Sequence, residues 1–391
     1  MQPDLSKLDA TLEERGIDGY LIDADSSESD QLYLSGYDAP DPFTTLYVDG
    51  EVHLLVSGLE YGRAKNQSRG DTVSRTADYG LYDLLEEYEP AEASSRVRAA
   101  FLEDHGVESV LCPRRFPLGV ADGLREAGIE VTAETDSVLE DIRAVKTTEE
   151  IEHVRATQQA NQKAMAAAED LLAAATVEDG LLYYEGELLT SERVKEEIEI
   201  TLLGHGCALD ETIVACGADA AEAHNRGSGP LAADESIVID IFPKDKETKY
   251  FGDMTRTFVV GEPSEEIRRR FEVTEGAFEA ALDALEPGAT GGEVHDAVCD
   301  VYEDAGYPTL RSDGTTEVGF IHSTGHGVGL DVHDPPSVGP TGDELVPGHV
   351  VTIEPGLYDP DVGGVRLEDL VVVTDDGYEN LNEYPKELVV G

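Results

Sequence analysis

Along the first part of the chain the spacing of apolar positions switches between the helical and the strand period. Residues 5–15 carry the pattern of an amphipathic helix, and a short apolar run at 19–22 predicts a strand. Two alternating stretches, 43–48 and 51–56, flank Asp49 and Gly50, a strong hairpin signal. Helical stretches at 95–104 and 119–127 each precede a short strand, at 109–111 and 129–132. Together these elements predict a small α/β domain over residues 1–140. Nothing in it matches a phosphate-binding loop or a nucleophile motif.

A different plan follows a linker placed at 136–146. Thr147 and Glu150 fit a capping box at the head of a long helix over 147–175. That helix and a second at 190–203 precede strands near 212–215, 236–241 and 254–260. Another helical pair, 264–285 and 290–305, precedes strands near 350–353, 365–373 and 388–390. E-P-G at 286–288 divides this pair, and Thr290 with Glu293 supplies a second capping box. Two helices followed by strands, twice over, predict a pseudo-symmetric α+β domain with a shared sheet over residues 141–391.

Length and composition agree with two folded domains: 391 residues, 40% of them hydrophobic, are enough for a core despite the charge. The charge itself excludes partners. With 28 basic and 83 acidic side chains the formal net charge is −55, a surface that repels nucleic-acid phosphates and anionic membranes. The acids are spread along the whole chain, lysines number only nine and tryptophan is absent. This is the pattern of a carboxylate-rich surface kept hydrated, and its self-repulsion screened, in concentrated salt. Cys112, Cys207, Cys216 and Cys299 form no C-x-x-C pair, which argues against a zinc ribbon or redox pair and suits a reducing cytoplasm. The start of the sequence lacks the basic and apolar regions of a signal peptide, and no apolar run reaches membrane-spanning length. The expectation is a cytoplasmic protein.

Five positions carry the candidate chemistry. Asp240 ends the apolar run 237–239, and Asp253 precedes M-T-R-T. His326 sits in T-G-H-G-V-G, Glu354 in T-I-E-P-G and Glu368 in V-R-L-E-D. Each lies in or beside a predicted strand, where a side chain is held rigidly. Taken singly, an acid in so acidic a chain reads as solvated surface. Four carboxylates brought into one pocket would repel, and some would have to be protonated, unless two divalent cations cancelled their charge. Oxygen donors with a single imidazole suit Mn²⁺ or Co²⁺, with Zn²⁺ also possible, better than they suit a thiolate zinc site. Two such ions acidify a water, polarise a carbonyl and stabilise a developing oxyanion.

The fragments D-M-T-R-T, H-S-T-G-H-G-V-G-L-D-V-H-D, T-I-E-P-G and R-L-E-D, in this order, resemble the pita-bread metallopeptidases. Within that family the chain is similar to the Xaa-Pro peptidases, aminopeptidase P and prolidase, with creatinase as a relative. The spacings are 28 residues from His326 to Glu354 and 14 from Glu354 to Glu368. The resemblance covers about residues 140–391, and the first 140 look like a creatinase-type N-terminal domain. It implies that Asp240 chelates one metal, that Asp253 and Glu368 bridge two, and that His326 and Glu354 complete the other. Glu354 would also shuttle the proton from water to the leaving amine. His224 would face the substrate carbonyl, His333 would steady the tetrahedral intermediate and His322 would line the leaving-group pocket. Arg366 would anchor nearby carboxylates. The implied substrate is a short peptide cleaved ahead of proline, and the implied assembly is a homodimer whose N-terminal domain shapes the pocket.

Three features depart from the family pattern. Asp240 and Asp253 are 13 apart, two more than usual, with Lys244, Lys246 and Lys249 between them, which predicts a lengthened hairpin. Phe242 stands where many relatives have glycine. No lysine or arginine lies between Arg311 and Arg366, where prolidases resemble one another in an arginine that grips the dipeptide carboxylate. That absence favours an aminopeptidase on longer peptides, unless another segment or subunit supplies the cation. His205, His295 and His349 read as structural, and Gly325, Gly327 and Gly329 as permitting close backbone approach at the site. Two other functions fit the pattern less fully. One is a creatinase-like hydrolase or lyase acting on a small non-peptide. The other is a non-catalytic peptide-binding module, in which ligands would be expected to be lost, whereas all five are present.

Overall fold

In the computed structural model, which describes residues 3–286 and 288–391, the chain divides between Arg143 and Ala144 into two units. Pro287, in the predicted E-P-G break, lies outside the described residues. No helix among the described residues is long and apolar enough to cross a membrane.

The first unit is built on a six-stranded sheet. From one edge its strands are Thr72–Arg75, Glu51–Val56, Phe43–Val48, Gly19–Ala24, Ser109–Cys112 and Glu130–Ala133. Asp49 and Gly50 both adopt positive φ, 53° and 81°, as a two-residue turn between twisted strands requires. The helices Ser6–Arg15, Pro90–Asp104 and Leu118–Glu126 fall where the periodicity places them. The helices Ser29–Ser35, Tyr61–Gln67 and Leu81–Glu87 were not predicted, because two turns are too few for a 3.6-residue period to show. The predicted linker is also helical: Val138–Ala144 forms a helix whose Arg143 pairs with Asp30 at 3.0 Å, both side chains buried.

The second unit contains two larger sheets. In the first, Thr212–Cys216, Ile237–Ile241, Met254–Val260 and Val389–Val390 lie side by side. The helices Thr148–Ala173 and Ser191–Gly204 cover it through a core that includes Met165, Ile198, Ile239 and Phe258. In the second, the order is Asp334–Val338, Gly325–Gly327, Val350–Ile353, Asp369–Thr374 and Gly377–Asn380. The helices Glu265–Ala284 and Gly291–Asp304 back it through Phe278, Val298, Val351 and Val371. Both predicted capping boxes form, at Thr147 with Glu150 and at Thr290 with Glu293. A small sheet made by Thr176–Glu178, Leu181–Tyr184 and Glu187–Leu188 was not anticipated from the sequence.

The halves do not share one continuous ladder, as the repeat suggested. The predicted strand over 365–373 breaks at Leu367 and Glu368. Gly363–Arg366 pairs with Gly356–Asp359, and Asp369–Thr374 pairs with Val350–Ile353. The break is held against Met254–Val260 by three bonds. The Glu368 N–H donates to the Thr255 carbonyl at 3.1 Å. The Thr257 hydroxyl donates to the Arg366 carbonyl at 2.8 Å and accepts from the Arg366 N–H at 2.9 Å.

Arg256 locks this seam from behind. Its side chain is 1% exposed and donates to the carbonyls of Thr255, Glu368, Tyr384 and Pro385 and to Asp369 Oδ1 at 2.7 Å. Removing the guanidinium leaves four carbonyls and a buried carboxylate short of donors. Arg256→Met should therefore lower stability by roughly 3–5 kcal/mol, read as a fall in denaturant midpoint. A loss below about 1 kcal/mol would contradict this bracing role.

Candidate metal centre

All nine residues singled out in the sequence line one cavity of about 830 Å³ in the second unit: His224, Asp240, Asp253, His322, His326, His333, Glu354, Arg366 and Glu368. Strand register explains the convergence. Asp240 lies opposite Thr255 on the neighbouring strand, and the Thr255 hydroxyl donates to Glu368 Oε2 at 2.6 Å. Asp253 immediately precedes that strand, and its backbone is clamped by one side-chain amide. Gln158, buried in the middle of the long helix, accepts from the Asp253 N–H at 2.9 Å and donates to its carbonyl at 2.8 Å. On the second sheet, the Thr352 hydroxyl accepts from the His326 N–H at 3.0 Å and donates to Glu354 Oε1 at 3.2 Å.

The glycines around His326 serve the sheet rather than a ligand. A Cβ on Gly325 would collide with the Thr352 carbonyl, on Gly327 with the Pro335 carbonyl and on Gly329 with Asp334. Such close approach aims the imidazole inward. His326 Nδ1 lies 3.0 Å from the Gly327 carbonyl, a contact that requires the proton on Nδ1. The Nε2 lone pair then faces Glu354 Oε1 at 3.3 Å and Asp253 Oδ2 at 3.8 Å. A lone pair aimed at two carboxylates is repulsive unless a cation lies between them.

The carboxylates tell the same story. Burial, reinforced by Glu368, Asp240 and Glu354, pushes the Asp253 carboxyl well above its usual range. Burial, with Glu354 and Asp240, does the same to Glu368. Burial also raises Glu354, against the opposing pull of Arg366. Among the described residues, Arg366 is the permanent cation bonded directly into the cluster. Its Nη2 donates to Asp240 Oδ2 at 2.6 Å, its Nε to Thr255 and its Nη1 to Tyr358 and the Ala223 carbonyl. Four carboxylates and one guanidinium leave a formal −4 + 1 = −3. Asp240 Oδ1 is buried and has no hydrogen-bond partner among the described residues. One oxygen each from Asp253 and Glu368 and a nitrogen of His326 lie within 4.8 Å of one another. Hard oxygen donors, one imidazole lone pair and an orphaned carboxylate oxygen fit divalent cations.

The other histidines are placed differently. His224 is exposed at the cavity wall. His333 stands edge-on to His326 at 4.3 Å, and burial lowers its pKa. His322 has both nitrogens engaged, Nδ1 with the Ser323 carbonyl at 2.6 Å and Nε2 with the Tyr358 hydroxyl at 2.8 Å. Burial and Arg366 push it down to about 3, so it is a neutral wall of the cavity. Thr255, Thr352, Gln158 and Tyr358 were not singled out in the sequence. The two threonines lie inside the quoted motifs, so position within the motif was their only signal. Gln158 offered only a polar residue on a helix face that turns out to be buried.

The chain resembles known proteins over its whole length. Residues 152–375 match metallopeptidase family M24, and residues 5–157 match the creatinase/prolidase N-terminal domain. An Xaa-Pro dipeptidase of Pyrococcus furiosus is 30% identical over 394 residues, covering 100% of both chains. The crystal structure of the prolidase from Pyrococcus horikoshii OT3 superimposes with a TM-score of 0.79 at 26% identity, covering 98% of this chain and 99% of that one. The Xaa-Pro dipeptidase from Bacillus anthracis shares the fold, with a TM-score of 0.82 at 23% identity over 99% of each chain. With its creatinase-type N-terminal unit and its pita-bread unit lined by four carboxylates, the chain belongs to metallopeptidase family M24 and is a hydrolase.

Proposed function

We propose that the enzyme is an Xaa-Pro dipeptidase that works with two divalent ions, Mn²⁺ or Co²⁺, as a homodimer in a salt-rich cytoplasm. Residues 141–391 carry the catalysis, and residues 1–140 form the separate N-terminal unit. The observation that carries this reading is the cluster of four carboxylates and His326, with the unpartnered Asp240 Oδ1 at its edge. The full-length similarity to an Xaa-Pro dipeptidase supports the dipeptide substrate over the longer peptides that the missing arginine suggested. A creatinase-like substrate has no comparable support.

Asp240, Asp253, His326, Glu354 and Glu368 hold the ions. When bound, divalent ions supply Lewis acidity, lowering the pKa of water and polarising a carbonyl. The protein residues do the rest. Glu354 lines the cavity beside the other carboxylates, where it can take a proton from water and pass it to the proline nitrogen as the C–N bond breaks. His224 and His333, on the wall, donate to the substrate carbonyl oxygen as negative charge develops there. Arg366 keeps Asp240 oriented, and His322, fixed by Tyr358, walls the leaving-group side.

Glu354→Gln should lower kcat by roughly 10²–10⁴-fold; retention of more than about a tenth of the activity would remove its proton-transfer role. Substrate class is tested by product analysis with Mn²⁺ in multimolar KCl, offering an Xaa-Pro dipeptide beside an Xaa-Pro-Xaa tripeptide. Release of proline from the dipeptide is expected, lost on dialysis against a chelator and restored by Mn²⁺. Cleavage of the tripeptide alone would make the enzyme an aminopeptidase. Cleavage of neither, with metal bound, would direct attention to a non-peptide C–N bond.

A further inference from the structure

A dipeptide brings a free carboxylate into a cavity already crowded with carboxylates, in a chain of formal charge −55. Some cation has to receive it. Among the described residues lining the cavity, only Arg226 and Arg366 carry permanent positive charge. Arg366 already spends four of its five N–H donors on Asp240, Thr255, Tyr358 and the Ala223 carbonyl. Arg226 does not. Its side chain is 41% exposed, and its guanidinium lies over the Phe242 ring, 5.5 Å from the centroid. One nitrogen, Nη2, donates to the Glu211 carboxylate. This braces the fork and leaves Nε and Nη1 available.

The backbone fixes where this guanidinium stands. The Arg226 carbonyl accepts from the Val214 N–H at 3.1 Å, and a Cβ on Gly227 would strike the Val214 carbonyl, so the segment runs tight against the sheet. Ile213 lies opposite Asp240 and Thr212 opposite Ile241. Glu211 and Phe242 are the next positions out, on the same face as Asp240 by the two-residue alternation of strands. Two strand residues rise about 6.6 Å. In a dipeptide one residue, roughly 3.5 Å, separates the scissile bond from the C-terminal carboxylate. A substrate with its scissile bond at the carboxylate cluster and its C-terminus directed along this face therefore points that carboxylate toward Arg226, whose side chain lines the same cavity.

Resting on the dipeptidase reading, we infer that Arg226 is the specificity-determining residue that binds the substrate's C-terminal carboxylate. Glu211 braces the guanidinium, and Phe242 and Ile213 form the apolar surface beside it. This places the cation outside 312–365, the stretch that has none.

The test compares an Xaa-Pro dipeptide with its C-terminal amide on the metal-loaded full-length enzyme. The wild type should prefer the free acid. Arg226→Gln should lower the acid-to-amide ratio of kcat/KM by about 10- to 100-fold, mainly through KM. Arg226→Lys should fall between, keeping the charge without the fork. Because the ratio is measured within one preparation, it does not depend on the folded fraction. An unchanged ratio in Arg226→Gln, or a wild type indifferent to amidation, would overturn the assignment. A wild type that cleaves no Xaa-Pro dipeptide would overturn the dipeptidase reading itself, and this assignment with it.

Discussion

Negative charge without a protein counter-charge is the constraint on which the second unit is built. Asp240, Asp253, Glu354 and Glu368 converge on one cavity, and Arg366 offsets only one of the four. Burial raises the proton affinity of Asp253, Glu354 and Glu368, which is the cost of dehydrating like charges side by side. In isolation such a cluster would splay apart or take up protons. It persists as designed if cations occupy it, and a site of this kind concentrates Lewis acidity where a peptide carbonyl can reach it.

Holding the cluster together is a job done by side chains one layer behind it. Thr255 and Thr352 hold one carboxylate each, and Gln158 fixes the backbone at Asp253. Arg256 grips the carbonyls on both sides of the seam between the two sheets. The seam is where the strand over 365–373 breaks, and the break is what turns Glu368 toward the cavity. The internal repeat thus serves chemistry directly: each half brings ligands on its own sheet, and the meeting line of the sheets becomes the site.

The ordered motifs made the candidate ligands legible, because each couples a ligand to a local backbone requirement visible in sequence. His326 sits among glycines whose Cβ atoms would collide with the facing strand, and Asp49 with Gly50 marks a turn that demands positive φ. What stayed hidden depends on distant pairing or on short length. The grip of Gln158 on Asp253 spans 95 positions, and nothing local signals it. The two-turn helices of the first unit are too short to display a period. The repeat suggested one sheet because periodicity reports strands, not which strands share hydrogen bonds. The stretch 312–365 contains no basic residue, which by itself favours longer peptides; sequence order does not reveal that Arg226 shares a cavity with residues more than a hundred positions away.

The central claim is that the carboxylate cluster exists to hold a pair of divalent ions. Elemental analysis of the full-length protein, loaded with Mn²⁺ and freed of unbound metal on a desalting column, tests it most directly. The account predicts two ions per chain in the wild type and fewer in Glu368→Gln, with the metal-loaded wild type melting at higher temperature than the chelated form. Less than one ion per chain in an enzyme that still hydrolyses its substrate in the presence of chelator would contradict it.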